Sequence, residues 1–165
     1  MKIGTKNNLK TSIEVAESYS KLAYSNKKAG NLLFENKLYN EASYNYIQCI
    51  EKMIKEEICK KVNSTNPYFS EKLRQIGHSL DDSISFLIEI LSGNNIVMRE
   101  QIKIQLISGV LKNIRFGSVH NDLRYPKFNK KTEKYSIVQA TKNDCEILKK
   151  IINSLEDYLR ELYKI

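Results

Sequence analysis

Apolar residues recur at steps of three and four over most of the chain, the spacing of helices that turn one face to a core. From Thr11 to about Phe34, Ile13, Ala16, Ser20 and Ala23 form one stripe, and Val15, Tyr19, Leu22, Ala29 and Leu33 an adjacent one. Two stripes predict a helix with neighbours on two sides. Its start is marked by Thr11 with Glu14 three residues on, which predicts a reciprocal capping box. After Glu35-Asn36-Lys37 a second helix is expected from Leu38 to about Val62, with Ala42, Tyr46, Cys49, Ile50, Met53 and Ile54 along one side. So short a link makes the pair an antiparallel hairpin.

A polar link with Pro67 leads through Glu71 and Gly77 to the capping signal Ser79-Leu80-Asp81-Asp82. The helix it opens buries Leu80, Ile84, Leu87, Ile88 and Leu91 and stops at Ser92-Gly93-Asn94-Asn95. Helical period then resumes from about Ile96 to Arg115, and Gly117 lets the chain leave it. Phe116 to Ala140 reads as one long irregular stretch, of the kind that is usually functional or mobile. Thr141 with Asp144 caps a last helix, whose Leu148, Ile152, Leu155, Leu159 and Leu162 form a seam suited to bundle packing. The expected fold class is all-α, an antiparallel up-and-down bundle of about five helices, with 1–10 a tail and 11–165 a single domain.

Composition narrows the class. A chain of 165 residues with 41% hydrophobic positions, 6 Gly and 2 Pro suits one globular domain and excludes collagen-like and disordered chains. At this length about 70% of the unfolded surface can be buried, so no disulfide or structural metal is required. Cys49, Cys59 and Cys145 match no CxxC spacing, and only His78 and His120 could join them, so no zinc site is expected. Cys49 and Cys145 fall at apolar helical positions and read as buried free thiols, which points to a reducing cytoplasm. No apolar run approaches the roughly 20 residues of a membrane span. With no glycine-rich phosphate loop and no carboxylate cluster at metal spacing, no cofactor is expected, nor a kinase or nucleotidyltransferase site in this chain.

One constellation carries chemistry: Arg115-Phe116-Gly117-Ser118-Val119-His120-Asn121-Asp122. On an unbroken helix Arg115 and His120 would lie about 140° apart. If the helix stops at Gly117, the imidazole can fold back beside the guanidinium. Such a pair suits phosphodiester chemistry, because a guanidinium binds two phosphate oxygens while an imidazole moves a proton near neutrality. The other reading is structural: a basic residue complements a helix C-terminus, and a loop histidine bonds the backbone. His78, just outside a helix cap, is expected to shape that turn. Arg124 and Tyr125, ahead of Pro126, either stand beside His120 or pin the loop to the bundle.

Several segments in order resemble the HEPN family of helical domains. They are Leu32-Leu33-Phe34, Lys37-Leu38-Tyr39-Asn40-Glu41-Ala42, Gln48-Cys49-Ile50-Glu51-Lys52, Gly77-His78-Ser79-Leu80 and Leu123-Arg124-Tyr125-Pro126, together spanning about Ala16 to Leu162. The resemblance implies a HEPN-like bundle. In members that are ribonucleases an Arg-x4-6-His motif at the dimer interface is catalytic without metal, and Arg115 and His120 match it. It implies that His120 handles the proton of the ribose 2′-hydroxyl or the leaving oxygen. Arg115 would stabilise the phosphorane, with 2′,3′-cyclic phosphate as product. The sequence departs from the usual pattern at Phe116, where a polar residue is common, and at Asp122, where tyrosine is frequent. The candidate substrate contacts are Asn121, Asp122, Arg124, Tyr125, Lys127, Lys130 and Lys131.

The formal charge of +8 is mostly spread, but Lys127, Lys130, Lys131 and Lys134 share one loop with the Arg-His pair, where they would concentrate a phosphate-rich ligand such as RNA or a nucleotide. Cleavage by acid and base needs two proton-handling groups, and a two-fold homodimer would supply both. Two functions follow as expectations. One is an RNA-binding and RNA-cleaving protein of toxin or defence type; the other is a non-catalytic nucleotide- or RNA-binding module that regulates a minimal nucleotidyltransferase partner. A third, a TPR-like adaptor, would require a repeat that the sequence lacks.

Overall fold

The computed structural model describes residues 3–163; the outer ends of the tail and the domain read from the sequence, 1–2 and 164–165, lie outside them. The fold is mostly helical. Helix α1 (Ser12–Glu35) opens on the expected box, with Thr11 Oγ1 accepting from the Glu14 amide at 3.2 Å and the Glu14 carboxylate accepting from the Thr11 amide at 2.9 Å. After a tight turn it packs along α2 (Tyr39–Lys61) and substantially against nothing else. Only Ala16, Ala23 and Gly30, spaced by seven, are buried on it. The expectation of two covered faces is therefore corrected. Ile13, Leu22 and Tyr24 stay exposed, because a single partner helix covers a single stripe.

The seam between the two helices is narrow. A Cβ on Gly30 would lie 2.7 Å from the ring of Tyr46, which is fully buried and hydrogen-bonded through its hydroxyl to Asn31. Glycine here is a requirement of close approach.

Helix α2 is covered nearly all round by α1, α4 (Leu80–Ser92) and α7 (Lys142–Glu161). Its buried positions accordingly include Ser43, Gln48, Glu51, Lys55 and Glu57 as well as the apolar ones. Each finds a partner. Lys55 donates to Glu51 at 2.6 Å and to the Gly77 carbonyl, Gln48 donates to Glu51 at 3.0 Å, and the Tyr163 hydroxyl donates to Glu57 at 2.8 Å. His78 Nδ1 lies 3.2 Å from Glu51, so the histidine sits at the turn, against this buried network. Burial pushes the Glu51 carboxyl up, but the hydrogen bond and charge of Lys55, with His78 and Lys52, outweigh it and hold the pKa below the ordinary carboxylate value. Cys49, Cys59 and Cys145 are buried free thiols, and burial pushes that of Cys49 up to about 12.

Three elements differ from the sequence reading. Pro67–Ile76, read as a link, is helix α3, started by Asn66 capping the Tyr68 amide at 2.9 Å with proline at the first turn. The helix expected from Ile96 to Arg115 is α5 (Ile96–Lys103) followed by wide π turns over Ile104–Val110. It ends there, five residues early, because Lys112 and Asn113 adopt φ of 55° and 59° and reverse the chain. The π turns keep Leu106, Val110 and Leu111 buried together, with the Leu111 amide donating to Leu106 at 2.9 Å. The long irregular stretch contains a one-turn helix α6 (Val119–Asp122) and a two-stranded antiparallel ribbon, β1 (Lys127–Asn129) and β2 (Lys134–Ser136). Among the described residues no helix is long and apolar enough to cross a membrane.

Gly30→Ala should lower the unfolding free energy in urea by about 1 kcal/mol, since overpacking against an immobile ring exceeds the gain in helix propensity. Glu51→Gln strands the buried Lys55 ammonium and should cost about 3 kcal/mol at neutral pH. Because the folded-state pKa of Glu51 is lowered, its contribution is complete above the ordinary carboxylate value and is lost as pH falls through the lowered one. The gap between the variant and the parent should therefore close in acid urea titrations.

Candidate functional site

The segment that follows the π turns hangs from two helix N-termini. Asp81, in the first turn of α4, accepts from the amide of Phe116 at 3.1 Å with one carboxylate oxygen and from Gly117 at 2.8 Å with the other. Phe116 is thereby seated in the core, and Gly117 turns the chain with φ of 46°. Asn40, in the first turn of α2, holds the far end of the loop: its amide donates to the carbonyls of Val138 and, at 3.4 Å, Leu123, and its oxygen accepts from Ala140 at 2.6 Å. The ribbon leaves and returns between these two clamps.

Arg115 lies in the extended link before Gly117, off any helix, and its side chain is exposed. With Ile114, Phe116, Val119 and Leu148 it lines a mostly apolar cavity of about 250 Å³ bounded also by Asp144. His120 is half-buried on α6 and does not line that cavity. Among the described residues neither side chain has a hydrogen-bond or ionic partner, and no such contact joins the two. The Gly117 turn therefore separates the two side chains, with the Arg115 guanidinium exposed on the link before it and His120 on α6 after it.

The candidate substrate contacts divide. Arg124 is committed to the bundle: its guanidinium lies 4.8 Å from the centre of the Tyr44 ring and 5.0 Å from that of Tyr125, and it donates to the Tyr44 hydroxyl at 3.3 Å. Of the two readings for this residue, pinning of the loop is the one the geometry displays. Asp122 accepts from Ser118 Oγ at 2.7 Å and lies 3.7 Å from the Lys127 ammonium, which offsets the negative charge beside His120. Asn121 and Tyr125 are exposed, and so are Lys127, Lys130 and Lys131 on the ribbon. Between 112 and 134 the cations Lys112, Arg115, Arg124, Lys127, Lys130, Lys131 and Lys134 face only Asp122 and Glu133. The segment is net cationic along the chain, and the carboxylates that lie against the Arg115 link come from elsewhere, Asp81 on the Phe116 and Gly117 amides and Asp144 at the cavity.

Sequence reasoning passed over Asp81, Asn40 and the ribbon. Asp81 had a visible signal, since Ser79 already caps the Asp82 amide at 3.2 Å and a second carboxylate in the same turn was left with no local task. The ribbon also had one, the matched patterns Lys127-Phe128-Asn129 and Lys134-Tyr135-Ser136 on either side of a polar turn. Asn40 had none. Searches against family models, curated proteins and solved structures find no match to this chain.

Asp81→Ala should cost about 2 kcal/mol, because two amides lose a charged acceptor. Hydrogen exchange should localise the effect, with protection lost at Phe116 and Gly117 and kept in α2.

Proposed function

We propose that the chain is a HEPN-type homodimer of the cytoplasm that binds RNA on its cationic loop and cleaves it by metal-independent acid–base chemistry. The observation that carries this reading is the Arg115 guanidinium, exposed and without a hydrogen-bonded or ionic partner among the described residues, in a net-cationic segment five positions before His120. An exposed guanidinium with no ionic partner in a basic segment is suited to a phosphate. In the proposed reaction one imidazole removes the ribose 2′-hydroxyl proton and the oxygen attacks the adjacent phosphorus. Arg115 stabilises the charge on the phosphorane, and the second subunit's imidazole protonates the departing 5′ oxygen, leaving a 2′,3′-cyclic phosphate. The buried reduced thiols support the cytoplasmic assignment, and the helical core supports the HEPN-like bundle as its scaffold.

A second reading, a non-catalytic module that regulates a nucleotidyltransferase partner, is favoured by one observation. Nothing among the described residues fixes the tautomer of His120 by a hydrogen bond, as a second group commonly does for a catalytic imidazole.

Incubation of a structured RNA with the protein and a metal chelator separates the two. Under the first reading the parent yields cyclic-phosphate ends, and His120→Ala and Arg115→Ala each slow cleavage by about 100-fold or more. Cleavage that His120→Ala leaves intact, or a monomer by sedimentation, overturns it.

A further inference from the structure

We infer that the β1–β2 ribbon is a platform for single-stranded RNA, on which the rings of Phe128 and Tyr135 stack with bases while the lysines of the turn hold phosphates. This rests on the RNA reading above and deepens it, since it names the form of the RNA and places its capture apart from Arg115 and His120.

Phe128 is paired directly with Tyr135 across the ribbon, so both side chains stand on one face. Their centroids are 5.1 Å apart with planes inclined at 52°. Both are exposed, Phe128 to 47% and Tyr135 to 72%, and among the described residues neither strand packs substantially against a helix. A lone two-stranded ribbon is marginal in water, and aromatic surface held out on one is unfavourable unless a partner covers it.

Charge selects that partner. Lys130 and Lys131 lie in the turn next to the rings, Lys127 and Lys134 stand on the opposite face of the strands, and Glu133 is the ribbon's one carboxylate. A polyanion that also offers flat faces is a single-stranded nucleic acid, whereas a duplex keeps its bases stacked inside. An anionic bilayer fits less well, because the rings sit mid-ribbon and the charged turn Lys130-Lys131-Thr132-Glu133 lies beyond them at the tip. The base of the ribbon is tied to the turn that carries His120, with the Lys127 ammonium 3.4 Å from Ser118 Oγ.

The test is fluorescence anisotropy of the full chain with a labelled oligouridylate of about a dozen nucleotides. A paired RNA duplex of the same length and phosphatidylserine vesicles serve as further probes. The parent should bind the single strand more tightly than the duplex. Phe128→Val with Tyr135→Val keeps strand-forming residues but removes both rings, and should raise Kd about tenfold or more. Phe128→Tyr with Tyr135→Phe should retain affinity. Replacing Lys130 and Lys131 by Ala should reduce the slope of log K against log salt by about one and a half. Equal affinity for duplex, an unchanged Kd in the valine pair, or loss of vesicle binding alone in that pair overturns the platform. The outcomes for the two readings separate. Ribbon-dependent binding without cleavage sinks only the nuclease, and His120-dependent cleavage with undiminished kcat/KM in the valine pair sinks only the platform.

Discussion

Polar groups buried on α2 must be paired, and that requirement arranges most of the molecule. A helix covered on all sides would be simplest if it were apolar throughout, yet this one carries Glu51, Lys55 and Glu57 inward. An unpaired buried charge costs several kcal/mol, so each of these side chains admits few positions for its neighbours. Lys55 fixes the Gly77 carbonyl and with it the turn into α4, and Glu57 fixes the C-terminal turn after α7 through Tyr163. Ser43 meets the Cys145 thiol at 3.2 Å near the start of α7. Close packing does the same work on the remaining side, where Gly30 admits the Tyr46 ring.

The loop inherits its place from that frame. Once the Gly77 turn is set, α4 begins where Asp81 can reach two amides of the Arg115 link. Asn40, at the opposite end of α2, closes the loop on Val138 and Ala140. A rigid helical core thus supports an exposed cationic segment that is anchored by the buried side chains of Phe116 and Leu123. Rigid support beneath an exposed loop is the usual division of labour in a binding site.

Helix existence was legible along most of the chain because apolar period and capping chemistry are local. Thr11 with Glu14 and Thr141 with Asp144 form the boxes their spacing predicts. Boundaries set by non-local causes were not legible. Lys112 and Asn113 are ordinary helix residues by propensity, and only the core around Leu106 and Leu111 makes a reversal there favourable. For the candidate site, the residue types and the concentration of charge were readable. The commitment of Arg124 to Tyr44 was not, since 80 positions separate the two along the chain.

The sequence by itself determined a helical protein with free thiols, a hairpin of two long helices and a basic loop next to Arg115 and His120. Period, capping and charge act over a few residues, and each is written in adjacent positions. The tertiary structure alone decided that α1 is covered on one face, that Arg124 turns to Tyr44, and that Asp81 and Asn40 hold the two ends of the loop. Those outcomes depend on which surfaces meet and on which buried groups must find partners, and both are settled between segments far apart in the chain.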